Sequence, residues 1–233
     1  MGEQQTKFAT SHFNEAAHLS LVVNKTRSHV SKGAGRLEMK ILLVADEESK
    51  YIWDHFDPER FKDIELIISC GDLQSSYLSF LVTMIHVPLF YVHGNHDTTY
   101  QRHPPEGCDC IEDLVVNYKG YRFAGLGGSM KYSRRQHQYT EKEMETRVKK
   151  LKRKIHKNKG LDVLITHVPP FGICDGEDLC HTGFKSFIKL LDKYEPPHMF
   201  HGHMHMNYTR QERIHTYNKT AIVNGYGYYI LDI

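Results

Sequence analysis

Val92-His93-Gly94-Asn95-His96-Asp97 is the stretch from which the rest of the chain is read. It closes an apolar and aromatic run, residues 87–92, that predicts a buried strand. The run breaks into a polar turn, where Gly94 lets the backbone bend without a Cβ clash. Asn95 and His96 are both able to bind a metal, and Asp97 follows them. Groups delivered just past the C-terminal end of a strand are typical of α/β active sites. Four other predicted strands end in the same way: residues 41–45 at Asp46, 64–69 at Gly71-Asp72, 161–166 at His167, and 199–200 at His201-Gly202-His203-Met204-His205. Each group alone has an ordinary explanation. Asp46 could cap a helix, Asp72 could sit in a turn, and His167 could bond a carbonyl in the core. Together, in this order, they point to one metal cluster.

The totals set the frame. A chain of 233 residues, 40% hydrophobic and 25% charged, fits one large globular α/β domain. The formal net charge of +2 gives no indication of nucleic acid or of a membrane surface as a partner. No run reaches the roughly 18 apolar residues of a spanning helix, and no signal-peptide core is seen. The five cysteines form no C-x-x-C pair, which suggests reduced thiols and a cytoplasmic location. The 17 histidines are the compositional outlier.

Residues 1–38 are polar and weakly periodic, and read as a disordered N-terminal extension before a domain spanning 39–233. From residue 40 strands and helices alternate. A short helix is expected over 51–61, interrupted at Pro58, and another over 75–85 opening near a serine cap. Residues 98–110 read as a loop, and 114–118 with 121–126 as a hairpin turning at Lys119-Gly120. Gly125-Leu126-Gly127-Gly128-Ser129 lacks the spacing of a phosphate loop, so it is read as a place of close backbone approach. Residues 140–157 form the clearest helix, with a capping box at Thr140 and Glu143. Its late basic run complements the helix dipole and reads as a solvated helix end. The loop 171–183 is expected to overhang the site, with Asp175 and His181 as candidate substrate contacts. Tyr132, Arg134 and Arg135 are candidates for gripping phosphate. A helix is expected over 184–194, and residues 208–233 predict two or three antiparallel strands.

Asp46-Glu47-Glu48, Gly71-Asp72, Gly94-Asn95-His96-Asp97, Thr166-His167 and Gly202-His203-Met204-His205 resemble the calcineurin-like metallophosphoesterases, whose blocks are D-x-H, G-D, G-N-H-[DE], H and G-H-x-H in that order. The resemblance spans residues 39 to about 232. It implies an α/β fold, a four-layer α/β/β/α sandwich of two mixed β-sheets with the metals at one edge. It also implies two divalent ions. Asp72 would bridge them; Asp46 and His205 would complete one site, and Asn95, His167 and His203 the other. His96 would protonate the leaving oxygen or stabilise the transition state, and Asp97 would orient His96. The first block departs from the family, because Glu48 stands where the family has histidine. A glutamate there can ligate through oxygen, which favours Mn²⁺ or Mg²⁺ over Zn²⁺, Fe or Ni²⁺. Alternatively it turns away and leaves one site weak. The implied activity is hydrolysis of a phosphate ester with metal-bound hydroxide as nucleophile; the compact chain, with no obvious large cap domain over the site, favours a diester over a monoester. The implied substrate is a small phosphoester or nucleotide; no membrane partner is expected, and an oligomer is left open. The rival reading is a catalytically weakened scaffold of the same fold that binds protein partners, with Glu48 as the feature in its favour.

Overall fold

In the computed structural model of the chain, residues 38–206 and 212–233 are described. The extension expected over 1–38 lies, except for Glu38, outside the described residues.

Strand β1 (Lys40–Ala45) is apolar from Ile41 onward, and each of those positions is buried. Such a strand needs cover on both faces. It sits between β2 (Leu66–Ser69), which is parallel to it, and β13 (Gly227–Asp232), which is antiparallel. With β3 (Leu89–Tyr91) and β4 (Asp109–Cys110) these make a sheet in the order β13-β1-β2-β3-β4. A second sheet contains β5 (Val115–Tyr118), β6 (Tyr121–Leu126), β9 (Val163–Thr166), β10 (His198–His201), β11 (Ile214–Tyr217) and β12 (Thr220–Asn224). Its order is β11-β12-β10-β9-β6-β5, again mixing parallel and antiparallel pairs. Strands β7 (Ser129–Met130) and β8 (Gln138–Tyr139) pair separately.

Helices α1 (Lys50–Asp54), α2 (Pro58–Phe61) and α3 (Ser75–Ile85) cover the first sheet. Their Ile52, Phe61, Leu78 and Leu81 share a buried cluster with Leu42, Val44 and Ile67. Helices α4 (Glu141–Lys157) and α5 (Lys185–Tyr194) cover the second, joining Val148, Leu151, Phe187 and Leu190 to Ala124, Leu164 and Met199. Alternate strand residues turn the other way and meet between the sheets. The Phe90 ring packs edge-on against Tyr118 at 5.8 Å and Phe123 at 5.9 Å. The four layers α/β/β/α follow from this alternation.

Local chemistry explains most boundaries. Pro58 does more than interrupt a helix over 51–61: it opens a second one. Its ring occupies the first position of α2, where no N–H is needed, and Asp57 caps by accepting from the Glu59 N–H at 3.1 Å. The serine cap expected for α3 is not formed. Gln74 holds the cap position without a side-chain bond, and the serines lie inside the first turn. The capping box of α4 is present, with the Thr140 hydroxyl accepting from the Glu143 N–H and Glu143 accepting from the Thr140 N–H. The hairpin turns at Lys119 (φ 45°) and Gly120 (φ 84°), the left-handed pair that matches strand twist. Two expectations are corrected. The loop over 98–110 ends in β4, which pairs parallel to β3. The C-terminal strands are not one antiparallel set: β12 pairs parallel to β10, and β13 crosses to pair with β1. Among the described residues no helix is long and apolar enough to cross a membrane.

Candidate metal centre

The parallel strands deliver their C-terminal ends to one edge where the two sheets meet. Asp46 follows β1, Asp72 follows β2, His167 follows β9, and His203 lies two residues past β10. Asp46, Asp72 and His203 all have left-handed backbone, with φ of 63°, 58° and 66°. That conformation is uncommon for residues other than glycine, and Asp and His are among those that tolerate it. Asp46 Oδ2 accepts from the His203 N–H at 2.7 Å, tying one sheet to the other. The approach of the Asn95 loop depends on Gly94, where a Cβ would fall 2.0 Å from the Asp72 carboxylate. The glycine loop also makes a close approach: a Cβ on Gly127 would meet the His93 carbonyl at 2.3 Å.

Asp46, Asp72, His167 and His203 each place a donor atom within 4.8 Å of the others. The hydrogen-bond pattern fixes what those donors can do. His167 Nδ1 is 2.8 Å from the Cys70 carbonyl, so this nitrogen carries the proton. His203 Nε2 likewise faces the Cys180 carbonyl at 2.7 Å and donates to it. The opposite nitrogens then converge as lone pairs. His167 Nε2 lies 3.1 Å from His203 Nδ1, 3.0 Å from Asn95 Oδ1 and 3.3 Å from Asp72 Oδ2. Acceptors facing acceptors repel unless a proton or a cation stands between them. Donor atoms about 3 Å apart also match neighbouring ligands around a small divalent ion with bonds of about 2.1 Å. The residues therefore fit a metal.

The electrostatics agree. Burial raises the Asp46 carboxyl to about 7 against the pull of His167, with the Asp72 charge adding to the rise. Burial and the same charge raise Asp97 to about 6. For Asp72 the upward push of burial is outweighed by His167 and by the His96 N–H, which bring it down to about 2. Burial lowers His167, but the Asp72 charge overrides it and lifts the ring to about 9. The Asp46 charge adds to the same pull, and together they favour the protonated His167 ring. His203, buried beside it, is lowered to about 3.

The other predicted residues fall into two groups. Asn95 is buried in the cluster and donates from Nδ2 to the Tyr132 hydroxyl at 3.1 Å. His96 and His205 are exposed and line the same cleft, of about 340 Å³, with Tyr132, Cys180 and His181. His205 also packs against Tyr226, with ring centroids 4.8 Å apart. Glu48 lies outside the cluster of four, and its Oε1 accepts from the Gln74 N–H at 3.2 Å, at the start of α3. Asp97 Oδ2 accepts from the Gly94 N–H at 2.7 Å and the Asp72 N–H at 3.0 Å, so it shapes the two loops that carry Asn95, His96 and Asp72. The overhanging loop does bring His181 to the cleft, but Asp175 accepts within the loop, from the Gly183 N–H. Arg134 and Arg135 are exposed and do not line the cleft.

Sequence reasoning missed the brace behind the Asn95 loop. Glu112 accepts from the His93 and Gly127 N–H groups, pairs with Arg147 and lies 3.4 Å from His93 Nδ1. Arg147 also donates to Asp113 and to the Gly127 carbonyl. A signal was present: Arg147 falls in the buried stripe Met144, Val148, Leu151 and Ile155 of α4, where a charge needs a partner. The carbonyls of Cys70 and Cys180, which set both histidine tautomers, leave no trace in a sequence.

A family model described as calcineurin-like phosphoesterase matches residues 39–207. No curated protein matches the chain. In structure the chain is similar to one solved crystal structure at 15% identity and a TM-score of 0.58, covering 84% of this chain and 95% of the other. It is also similar to the crystal structure of a Thermus thermophilus protein at 16% identity and a TM-score of 0.55, covering 81% and 89% of the two chains. At these identities the likeness is one of fold. The matched span takes in every strand end that builds the cluster, and the chain belongs to the calcineurin-like phosphoesterase family.

Proposed function

We propose that this protein is a metal-dependent phosphoesterase that hydrolyses a phosphodiester in preference to a monoester. The observation that carries the reading is the convergence of lone pairs from Asp72, Asn95, His167 and His203 on one point. Those four would hold one divalent ion. Asp46 and His205, with Glu48 if it turns inward, are the donors for a second. Mn²⁺ or Mg²⁺ suits the oxygen-rich half, with Zn²⁺, Fe or Ni²⁺ as the alternatives. Bound ions would polarise a phosphoryl oxygen and make a water acidic enough to attack at neutral pH.

The chain's own residues account for the rest. Asp72 fixes the His96 backbone by accepting its N–H at 2.7 Å, leaving the exposed ring at the cleft to donate a proton to the departing oxygen. Tyr132 steadies Asn95. Among the described residues no lysine or arginine lines the cleft, so the second negative charge of a monoester would find no cationic side chain there. A diester carries one charge less, and a small phosphodiester or nucleotide suits the volume. The free thiols accord with a cytoplasmic location.

Glu48, engaged at Gln74, favours the second reading: a catalytically weakened scaffold that binds protein partners. One experiment separates the two. Protein purified without added metal is assayed for bound ions, then titrated with Mn²⁺, Mg²⁺ and Zn²⁺ against a chromogenic phosphodiester and a phosphomonoester. Metal-dependent turnover, faster on the diester and about 10²–10⁴-fold lower in His96→Ala, is the expected result. No turnover with any metal would leave the scaffold.

A further inference from the structure

A second set of metal-capable side chains lies at the mouth of the cleft. In the turn 178–181, Cys180 Sγ is 2.9 Å from Asp178 Oδ1 and 3.3 Å from His181 Nδ1. The same nitrogen is 2.7 Å from Asp178 Oδ2. Thiol, imidazole and carboxylate thus form a small triangle on adjacent residues. Its edges are within a few tenths of an ångström of the roughly 3–3.5 Å that separates neighbouring ligands around a zinc-sized ion. The turn is held by contacts outside the triangle. The Thr182 hydroxyl donates to the Asp178 carbonyl, the Gly176 N–H donates to the His181 carbonyl, and Asp175 holds the Gly183 N–H. It also touches the cleft floor, because the Cys180 carbonyl accepts from His203 and the His181 ring lies 5.1 Å from the His203 ring.

We propose that Asp178, Cys180 and His181 form a further ion site, selective for a borderline-soft divalent cation of the zinc class. The donor set carries the selectivity. Sulfur with imidazole favours Zn²⁺ or Co²⁺ over Mg²⁺ and Mn²⁺, whereas the cleft floor has no sulfur ligand. On uptake the Cys180 S–H bond breaks, its proton passes to solvent, and the sulfur–metal bond forms. His181 binds through Nδ1 and keeps its proton on Nε2. Three protein donors leave a coordination position open. Cys180 and His181 both line the cleft, so a water or a phosphate oxygen is the ligand at hand. An ion here would also fasten the overhanging loop, through the Cys180 carbonyl, to the histidine beneath it. The donor set stands whether or not the cleft carries the reaction assigned to it.

The test uses Co²⁺ alone as a spectroscopic probe and Zn²⁺ alone for counting, on the full chain, with no substrate. Wild type and Cys174→Ser are expected to show cobalt–thiolate charge-transfer absorption that Cys180→Ser lacks. Zn²⁺ content is expected to fall by one ion per chain in both Cys180→Ser and His181→Ala. Both variants lie in a partly exposed turn, and Cys180→Ser nearly preserves shape. No thiolate band in wild type, or a band and a Zn²⁺ count unchanged by Cys180→Ser, would overturn the proposal. Failure of phosphoesterase activity on every ester would leave the thiolate band standing, so the two conclusions fail separately.

Discussion

The cleft has two unlike halves. On one side Asn95, His167 and His203 are buried together, the two rings oriented by the carbonyls of Cys70 and Cys180 and Asn95 by the Tyr132 hydroxyl. Behind them Glu112 and Arg147 lock the chain leading into the Asn95 loop. On the other side only Asp46 is fixed in the cluster, while His205 is exposed and Glu48 is committed to the start of α3. Donors anchored by strand ends and backbone carbonyls are organised before any ion arrives. Donors on open loops must be organised by the ion itself, and the two sides should differ in how tightly they bind it.

The largest effect is expected at the braced side. Asp72→Asn or His167→Ala should lower metal affinity by at least ~10²-fold, since partners one step removed from a ligand already carry effects of that size. Ion counting after dialysis checks this. A variant that keeps its full ion content would break the contrast between the halves.

Next in size is the brace. Arg147→Ala removes the guanidinium from the largely buried Glu112 and leaves it only His93, which should cost about 1.5–3 kcal/mol of stability in denaturant titration. Its companion is a pH effect. Burial pushes the Glu112 carboxyl up, but the His93 hydrogen bond and the Arg147 charge outweigh it and bring it down to about 2 from 4.5. Folded-state pKa below unfolded means the stabilisation is complete above pH 4.5 and fades as pH falls toward 2. Thermal melts of Glu112→Gln should therefore vary less across that window than those of wild type.

The smallest effect should come from the open side. Glu48→Ala removes an acceptor at the N-terminus of α3 and should cost about 0.5–1 kcal/mol, with a far smaller drop in metal affinity than Asp72→Asn. If Glu48→Ala instead strips metal as thoroughly as Asp72→Asn, Glu48 turns inward when the ion binds and the halves are equivalent.

The pattern of what was legible follows the same division. Buried strands announce themselves as apolar runs, so β1, β2, β3 and β9 and the groups at their ends could be read from sequence. The α4 capping box and the Lys119-Gly120 turn are short-range chemistry and were equally readable. The crossing of β13 to β1 was not, because a strand's pattern records that it is buried and not against which neighbour. Asp97 and Glu48 are hard to assign from sequence for a related reason. A carboxylate accepts from backbone N–H as readily as it binds a metal or a histidine, and only position decides.

The left-handed backbone at Asp46, Asp72 and His203 sets stability against function. Each of these residues occupies a conformation that glycine would hold with less strain. Asp46→Gly, Asp72→Gly and His203→Gly would each relieve that strain, give up a bond that joins neighbouring loops, and erase part of the metal centre. Any programme to toughen this protein has to select on ion binding at the same time, because strained backbone and metal chemistry fall on the same three residues.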